Sequence, residues 1–382
     1  MTFGTLAIVV AAGLLGPLLA LPARWHLPIV LGELIAGVVL GRTGFGVLHA
    51  DDPTFTFLAN IGFALVMFVA GSHVPVRDPR LRGALRIGLV RVIAVGFLAA
   101  LAGAAIAWAF HTGHAALYAV LLASSSAAVV LPIVDGLGLT GTPVLQLLPQ
   151  VAIADTACIV AVPLAVDPGH AGRAALGAVA VIAASALLYL VLRKLESSGH
   201  RRRAHRVSED RKFALEMRIN LIILFALAAL AVATHVSIML AGFTFGLAVA
   251  AVGEPRRLAR QLFALTEGFL GPLFFVWLGA SLDVRALGAH PSFILLGLVL
   301  GFGAVAVHVA MRVSGQPIAL GALAATQLGV PVAAATIGSE LALLRPGEAA
   351  ALILGALVTI AAAATAGAVA ARSAPPADVS LS

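Results

Sequence analysis

Charged residues are scarce in this chain of 382 residues: Asp, Glu, Lys and Arg make up 11% of it, against about a quarter in a typical soluble domain. Aromatic residues account for only 6%, whereas apolar residues reach 61% and the mean hydropathy is +1.07. This composition excludes a water-soluble globular domain. The abundance of Ala, Val, Leu and Gly favours closely packed helices over a β-barrel, so the sequence predicts an all-α polytopic membrane protein.

Cysteine is nearly absent as well. The single Cys158 lies in an apolar run, which excludes an intrachain disulfide and a cysteine metal cluster. We expect no cofactor and no enzyme activity, because the sequence has no HExxH motif and its serine run has no obvious base nearby. The net charge of +7 does not indicate nucleic acid as a partner, because the 24 Lys and Arg residues lie in short runs between apolar segments.

Apolar segments recur along the chain, and about 20 apolar residues suffice to cross a bilayer. The sequence predicts about thirteen transmembrane spans, at 5–21, 27–42, 55–73, 84–110, 114–136, 146–166, 171–192, 213–234, 236–252, 258–282, 291–313, 318–341 and 347–371. Alternate loops then carry 19 and 4 Lys and Arg residues. The positive-inside rule therefore places the N-terminus outside and the C-terminus in the cytoplasm, in what we expect to be a bacterial inner membrane.

Two segments repeat along the chain at nearly the same offset. HLPIVLGELIAGVVLG at 26–41 aligns with 235–250 at an offset of 209, and LVMFVAG at 65–71 aligns with 273–279 at an offset of 208. With six spans per unit and one linking span, the two units face opposite ways in the membrane, which is typical of transporters. The predicted division is a first inverted repeat plus linker helix at 1–192, a basic cytoplasmic loop at 193–212, a second repeat at 213–371 and a cytoplasmic tail at 372–382.

Polar residues interrupt one span in each repeat. Span five contains Ser124, Ser125 and Ser126, and span twelve contains Gln327 and Gly329. A broken helix frees backbone groups that must be satisfied by protein or by water lining a cavity. Matching breaks in the two repeats predict a binding site, whereas either break alone could be a structural kink.

One acidic residue lies near the middle of a span. Asp155 is the tenth residue of the span at 146–166, and an ionisable residue inside a membrane is a candidate for function by default. Its carboxyl group can take up and release a proton, and when deprotonated it is a hard oxygen ligand for an alkali cation. We predict that Asp155 binds both; the alternative is a structural aspartate held by an arginine or by a helix-capping amide.

Four other ionisable residues fall within spans. Glu267 either lines a path or fixes two helices, and His308 titrates in a useful range although a lone histidine more often packs against the backbone. Both are accessory candidates. Glu33 and Arg91 are expected to serve the structure, by pairing with each other or by capping neighbouring turns.

Five stretches resemble, in chain order, the monovalent cation:proton antiporter-2 family, which includes sodium/proton antiporters and potassium efflux proteins. They lie at 27–41, 57–71, 123–132, 151–164 and 267–284, and the last, EGFLGPLFFVWLGASLDV, is the most specific. The resemblance implies thirteen helices with crossed, partly unwound helices at spans five and twelve. It also implies a dimerisation domain from spans one to three and eight to ten, and a mobile core domain from spans four to six and eleven to thirteen.

The same resemblance implies that Asp155 is the ion-binding aspartate and that Ser125 and Ser126 form the hydroxyl pair on the crossed helix. Three positions depart from the family pattern. Ala154 replaces Asp, Asn or Gln, Gly303 stands where many members carry a basic residue, and Val330 belongs to LGV, which replaces a motif such as Arg-Gly-Glu. The departures leave the transport stoichiometry open.

The sequence therefore predicts a secondary transporter that exchanges protons for Na+ or K+, electroneutrally, by an elevator-like movement of the core domain. Asp155 would bind the ions, with Ser124, Ser125, Ser126 and the backbone near Gly329 completing the site. The expected partners are the transported ions, the lipid bilayer and a second copy in a homodimer. A sodium-coupled organic anion symporter of related fold and a non-transporting membrane sensor or subunit remain alternatives.

Overall fold

The computed structural model describes residues 1–21, 29–72, 81–167, 169, 171–197, 215–234, 236–253, 262–282, 284–289, 291–345 and 347–373. All regular secondary structure in these ranges is helical, which confirms the predicted all-α class. Most of the basic loop predicted at 193–212 lies outside the described residues, as does nearly all of the predicted tail.

Nine helices cover the first part of the chain: α1 (Phe3–Gly13), α2 (Leu15–Ala20), α3 (Ile29–Leu40), α4 (Pro53–Ser72), α5 (Leu81–Phe110), α6 (Ala115–Ala123), α7 (Ala127–Gly136), α8 (Thr142–Val166) and α9 (Ala171–Ser197).

Eight more described helices follow: α10 (Leu215–Ala233), α11 (Ile238–Val252), α12 (Gly271–Ser281), α13 (Val284–Ala289), α14 (Pro291–Val309), α15 (Ile318–Ala324), α16 (Gly329–Glu340) and α17 (Glu348–Ser373). A π-helical turn, Thr266–Leu270, runs into α12, and a 3-10 turn, Ala310–Ser314, continues α14.

Ten helical stretches in the described residues are long and apolar enough to cross a membrane. Two shorter apolar helices, α3 and α11, add to them, and α6 and α7 form a broken span that neither group includes. The chain is therefore an integral membrane protein. The total of thirteen spans stays a prediction.

The helices pack into two groups. The scaffold group comprises α1–α4 and α10–α12, in which α4 packs on α11 and α3 packs on α12. The crossing group comprises α5–α8 and α14–α17, in which α5 packs on α6 and α8 while α17 packs on α14, α15 and α16. Helix α9 packs on members of both groups.

Glycine pairs hold the scaffold group together at two equivalent places. A Cβ on Gly37 would lie 2.8 Å from the Cα of Gly279, and one on Gly246 would lie 2.9 Å from the Cα of Gly71. The absence of side chains lets the helix backbones approach closely, as at many helix interfaces in membranes. The sequence repeat aligns Gly37 with Gly246 and Gly71 with Gly279. The contact between Gly37 and Gly279 is therefore equivalent, through the repeat, to the contact between Gly246 and Gly71. This relation supports the duplicated unit that the sequence indicated.

Candidate ion-binding site

The first break separates α6 from α7 at three consecutive serines. Serine hydroxyls bond readily to nearby backbone and so compete with helix formation. The Ser124 hydroxyl donates to the Leu121 carbonyl at 2.9 Å, and the Ser125 hydroxyl donates to the Ala324 carbonyl at 2.6 Å. Ser126 precedes α7, and its carbonyl accepts the N–H of Val130 at 2.9 Å. The chain therefore leaves the helix at Ser124 and re-enters it at Ala127.

The second break separates α15 from α16. Leu328 adopts a non-helical backbone with φ −145° and ψ −68°. The preceding amide N–H of Gln327 donates to the hydroxyl of Thr359 on α17 at 3.0 Å, so a neighbouring helix satisfies a backbone group that the break frees. The sequence alone did not point to Thr359, which is one of two threonines in a largely apolar span.

The two breaks cross and satisfy each other. Ser125 in the first break bonds the Ala324 carbonyl near the end of α15, while the Gln327 side chain in the second break donates to the Leu121 carbonyl near the end of α6 at 2.5 Å. Each break thus supplies a side-chain donor to a carbonyl at the C-terminal end of the other half-helix, where the last carbonyls lack helical partners; the Leu121 carbonyl accepts from Ser124 as well. The predicted pairing of the breaks is present in the structure.

Asp155 lies on α8 with its carboxylate at the start of α7. The Oδ2 atom accepts the backbone N–H of Ala127 at 2.8 Å, and the residue is 2% exposed. Because a helix N-terminus carries positive partial charge, it stabilises an anion there. This is the only hydrogen bond that the described residues give to the carboxylate. The capping amide named as the structural alternative is therefore present, but it occupies only one of the acceptor positions of a carboxylate.

Three serine residues directly precede the Ala127 amide that bonds Asp155. Ser126 directly precedes Ala127, and Ser124, Ser125 and Ser126 are all buried. The proton of the Ser125 hydroxyl points to the Ala324 carbonyl, which leaves its oxygen lone pairs available to a cation. Carboxylate, hydroxyl and carbonyl oxygens suit hard cations, and none of these groups suits a soft metal.

Of the four accessory candidates, two lie at the second break and two lie away from it. Gln327 belongs to the crossing, and Gly329 begins α16, where a Cβ would lie 2.3 Å from the Sδ of Met239. Glu267 lies on the π-helical turn of the scaffold group and is exposed. His308 is buried, and its Nδ1 bonds the Ala304 carbonyl of its own helix at 2.9 Å, the packing arrangement that is common for a lone histidine.

The three departures from the family pattern are uncharged residues, of which Ala154 and Val330 are buried and Gly303 is half-buried. Ala154 is 3% exposed and Val330 is 1% exposed. A Cβ on Gly303 would lie 3.1 Å from a methyl group of Leu122, close to the end of α6. A long basic side chain at that position would have to displace this contact. None of these three residues thus provides the charged or polar side chain that the family pattern has there.

Arg91 does not pair with Glu33. Its Nε donates to the Ser314 hydroxyl at 2.8 Å and its Nη2 to the Ser314 carbonyl at 3.3 Å, whereas Glu33 lies on α3 in the scaffold group. The sequence predicted that Arg91 either pairs with Glu33 or caps a neighbouring turn. The pairing is wrong, and Arg91 caps the 3-10 turn that ends at Ser314. The two residues belong to different helix groups, which spacing along the chain does not reveal.

A membrane protein in which two broken helices cross beside a buried carboxylate has the architecture of secondary transporters built from repeats. The chain belongs to the sodium/hydrogen exchanger family: the family described as "Sodium/hydrogen exchanger, transmembrane" matches residues 8–370. The resemblance to cation:proton antiporters drawn from the sequence is therefore confirmed.

Two curated relatives illustrate the range of the family. The chain is 25% identical over 377 residues to the "Putative Na(+)/H(+) antiporter YjbQ" of Bacillus subtilis (strain 168), covering 93% of this chain and 61% of the relative. It is 30% identical over 312 residues to the "Glutathione-regulated potassium-efflux system protein KefC" of Enterobacter sp. (strain 638), covering 76% of this chain and 46% of the relative. The chain thus spans about half to three fifths of the length of these relatives.

A solved structure shares the fold. The sodium proton antiporter MjNhaP1 from Methanocaldococcus jannaschii, determined at pH 8, superposes with a TM-score of 0.65 at 15% sequence identity, covering 97% of this chain and 98% of that one. The predicted antiporter-like fold is confirmed.

Proposed function

We propose that this protein exchanges protons for Na+ or K+ across the membrane and that Asp155 carries each ion in turn. The observation that carries this proposal is the buried Asp155 carboxylate, which accepts one hydrogen bond from the Ala127 amide at the start of α7, directly after the buried serines of the first break. Membership of the sodium/hydrogen exchanger family supports it.

The exchange cycle uses competition for one carboxylate. Deprotonated Asp155 binds the cation, and the oxygens of Ser125 and Ser126 together with carbonyls freed by the breaks complete its shell. Protonation cancels the negative charge that holds the cation, so the cation leaves. The α7 amide keeps the carboxylate oriented in both states, which pre-organises the site.

The stoichiometry is one cation per proton, so that transport is electroneutral. A single carboxylate carries one proton or balances one monovalent cation. Ala154 and Gly303 cannot titrate, and His308 bonds its own helix. The Asp155 site therefore has no second proton carrier to add charge to the cycle.

Alternating access is an elevator-like movement of the crossing group against the scaffold group. The glycine contacts that join the two repeats lie inside the scaffold group, which makes that group a rigid support for the movement. The expected homodimer would form through this group. The orientation follows the positive-inside rule in the inner membrane of a bacterium, with the N-terminus outside. The loop after α3 and the loop before α17 then face outward.

Proteoliposomes with an internal pH-sensitive dye test the proposal. Addition of Na+ or K+ outside should drive proton exit from the vesicles containing the wild-type protein and leave the vesicles containing Asp155→Asn unchanged. Asp167→Asn, the same substitution at the C-terminal end of the same helix, is the matched control and should behave as the wild type. Cation-independent proton movement, or none with any alkali cation, would contradict the proposal.

A further inference from the structure

A second polar cluster lies in the crossing group, apart from the Asp155 carboxylate. Arg91 of α5 bonds Ser314 at the end of the 3-10 turn, through Nε at 2.8 Å and through Nη2 at 3.3 Å. Two residues further along the chain, Nε2 of Gln316 donates to Oε1 of Gln150 on α8 at 2.9 Å. The loop between the 3-10 turn and α15 is therefore bonded to both α5 and α8.

These contacts close into a ring. Gly88 lies three residues before Arg91, on the same face of α5. A Cβ on Gly88 would lie 3.0 Å from the backbone nitrogen and 3.4 Å from the Cα of Gln150, so α5 and α8 touch at this point. The loop reaches Gln316 through Gly315, whose φ of +79° turns the chain sharply. Arg91, Gln150 and Gln316 thus surround one small polar region between α5, α8 and the loop.

Three buried polar atoms of this ring have no hydrogen-bond partner in the part of the chain that the structure describes. They are Nη1 of Arg91, Nε2 of Gln150 and Oε1 of Gln316. The three residues are 2%, 1% and 3% exposed, in that order. A buried polar group without a partner costs free energy, and folded proteins rarely leave several of them together. These atoms therefore indicate a bound ligand.

The charge of the ring decides what kind of ligand fits. Among the described residues the guanidinium of Arg91 bonds Ser314 alone and no carboxylate. Asp155 is the next acid along α8, five residues beyond Gln150, and it accepts the Ala127 amide instead. Five residues turn a helix by roughly 500°, which places Asp155 about 140° around α8 from Gln150. An arginine inside a membrane protein is costly unless its charge is balanced, so the ligand is an anion.

We propose that this ring binds one small monovalent anion of the size of chloride, between Nη1 of Arg91 and Nε2 of Gln150. Both atoms are N–H donors, and the anion accepts from both. Oε1 of Gln316 is an acceptor and bonds a water molecule beside the anion. Ser314 and Gly315 are exposed, which opens a route to the site at the loop before α15. The bound anion joins α5, α8 and this loop and so stabilises the crossing group.

Thermal unfolding of the purified protein in detergent tests the site. At constant sodium concentration and ionic strength, replacement of gluconate by chloride or bromide should raise the Tm by about 2 °C or more, because a ligand that binds only the folded state stabilises it. The rise should saturate with anion concentration. It should disappear in Arg91→Gln and persist in Arg86→Gln, which changes an exposed arginine of the same helix. Equal rises in the two variants would mean a general salt effect and would overturn the site.

The second donor has its own variant. Gln150→Met removes the amide with little change in side-chain length, so it should raise the half-saturating chloride concentration about tenfold, as expected for the loss of one hydrogen bond to a charged group. An unchanged half-saturating concentration would contradict the place of Gln150 in the site.

A measurement on the wild-type protein covers the case in which Arg91→Gln does not fold. Crystals grown in sodium bromide should give an anomalous peak at the bromine absorption edge, within hydrogen-bond distance of Nη1 of Arg91 and Nε2 of Gln150. A water molecule at this place, with no anomalous signal, would overturn the proposal.

The anion site and the proposed exchange can fail separately. Asp155→Asn should keep the chloride-dependent rise in Tm, because the carboxylate is not part of the ring. A rise that is lost in Asp155→Asn and kept in Arg91→Gln would show that the salt acts at the carboxylate, and it would refute only the anion site.

Discussion

The Oδ2 atom of Asp155 lies 2.8 Å from the backbone nitrogen of Ala127, the first residue of α7. This contact joins the unbroken helix α8 to the broken span and fixes the carboxylate where the two broken spans cross. Ion exchange at such a site depends on the charge of the carboxylate, on the oxygen ligands around it and on the packing of the helices, and each can be tested by substitution.

The first prediction concerns the carboxylate itself. Asp155→Asn keeps the side-chain volume and removes both the charge and the titration, so exchange should fall to background while the purified protein remains monodisperse. Asp155→Glu keeps the charge and should retain exchange with an altered apparent cation affinity, because one extra methylene displaces the oxygens by about one C–C bond length. Dye-monitored exchange over a range of cation concentrations measures both effects.

The second prediction concerns the hydroxyls. Ser126→Ala removes an oxygen ligand and should weaken apparent cation affinity about tenfold, equivalent to ~1.4 kcal/mol, with the maximal rate retained. Ser125→Ala should do the same and also lower stability, since its hydroxyl bonds the Ala324 carbonyl. Ser124→Ala is a useful comparison, because that hydroxyl bonds the Leu121 carbonyl within the same half-helix. An unchanged affinity in the Ser125→Ala, Ser126→Ala double variant would mean that these hydroxyls only bond backbone.

The third prediction is that transport is electroneutral. Proton flux in proteoliposomes should not respond to an imposed membrane potential, because one carboxylate exchanges one proton for one monovalent cation. A clear voltage response would require a second proton carrier. His308→Gln and Glu267→Gln would then be the variants to measure first.

The fourth prediction concerns stability and pH at the start of α4. The amino group of Met1, followed by the Phe55 N–H, holds the pKa of Asp52 below its usual range. A lowered folded-state pKa gives stability that is present above the unfolded value of about 3.9 and is lost as pH falls through the folded value. Asp52→Asn should therefore lower the Tm at pH 7, and its difference from wild type should shrink in acid. Asp51→Asn is the control, and an equal Tm loss in both variants would contradict this assignment.

The fifth prediction concerns the glycine contacts of the scaffold group. Gly37→Val would place side-chain atoms into the backbone of α12 and should destabilise the protein by about 1–3 kcal/mol or more. Gly83→Val, on α5, has open space at the Cβ position and should cost far less. Thermal unfolding in detergent measures both, and similar Tm losses would argue against close packing at Gly37.

Local sequence patterns predicted much of the fold and the site. Long apolar runs gave the spans, the Ser124–Ser126 run and Gly329 marked the breaks, and a lone aspartate in an apolar span marked the carboxylate. Polar groups and broken helices cost free energy in a bilayer, and this cost depends on the local sequence of each segment. Local patterns are therefore enough to predict these features.

Contacts between distant segments could not be predicted in the same way. The Ala127 amide that bonds Asp155 and the Met239 side chain that packs on Gly329 depend on how the helix groups meet. The expected pairing of Glu33 with Arg91 failed for the same reason. Nothing in the sequence around Glu267 indicated the π-helical turn that the structure shows there.

The central claim, that one carboxylate binds either a proton or a cation, is tested most directly by proton release from the purified protein. In weakly buffered detergent solution below the pH at which the site is fully deprotonated, addition of NaCl or KCl should release protons from the wild-type protein in proportion to cation binding. The account predicts that at most about one proton is released per chain, as expected for one carboxyl group. It predicts no release from Asp155→Asn on addition of either salt, and none from the wild-type protein when choline chloride replaces NaCl or KCl. Undiminished release from Asp155→Asn would contradict the account.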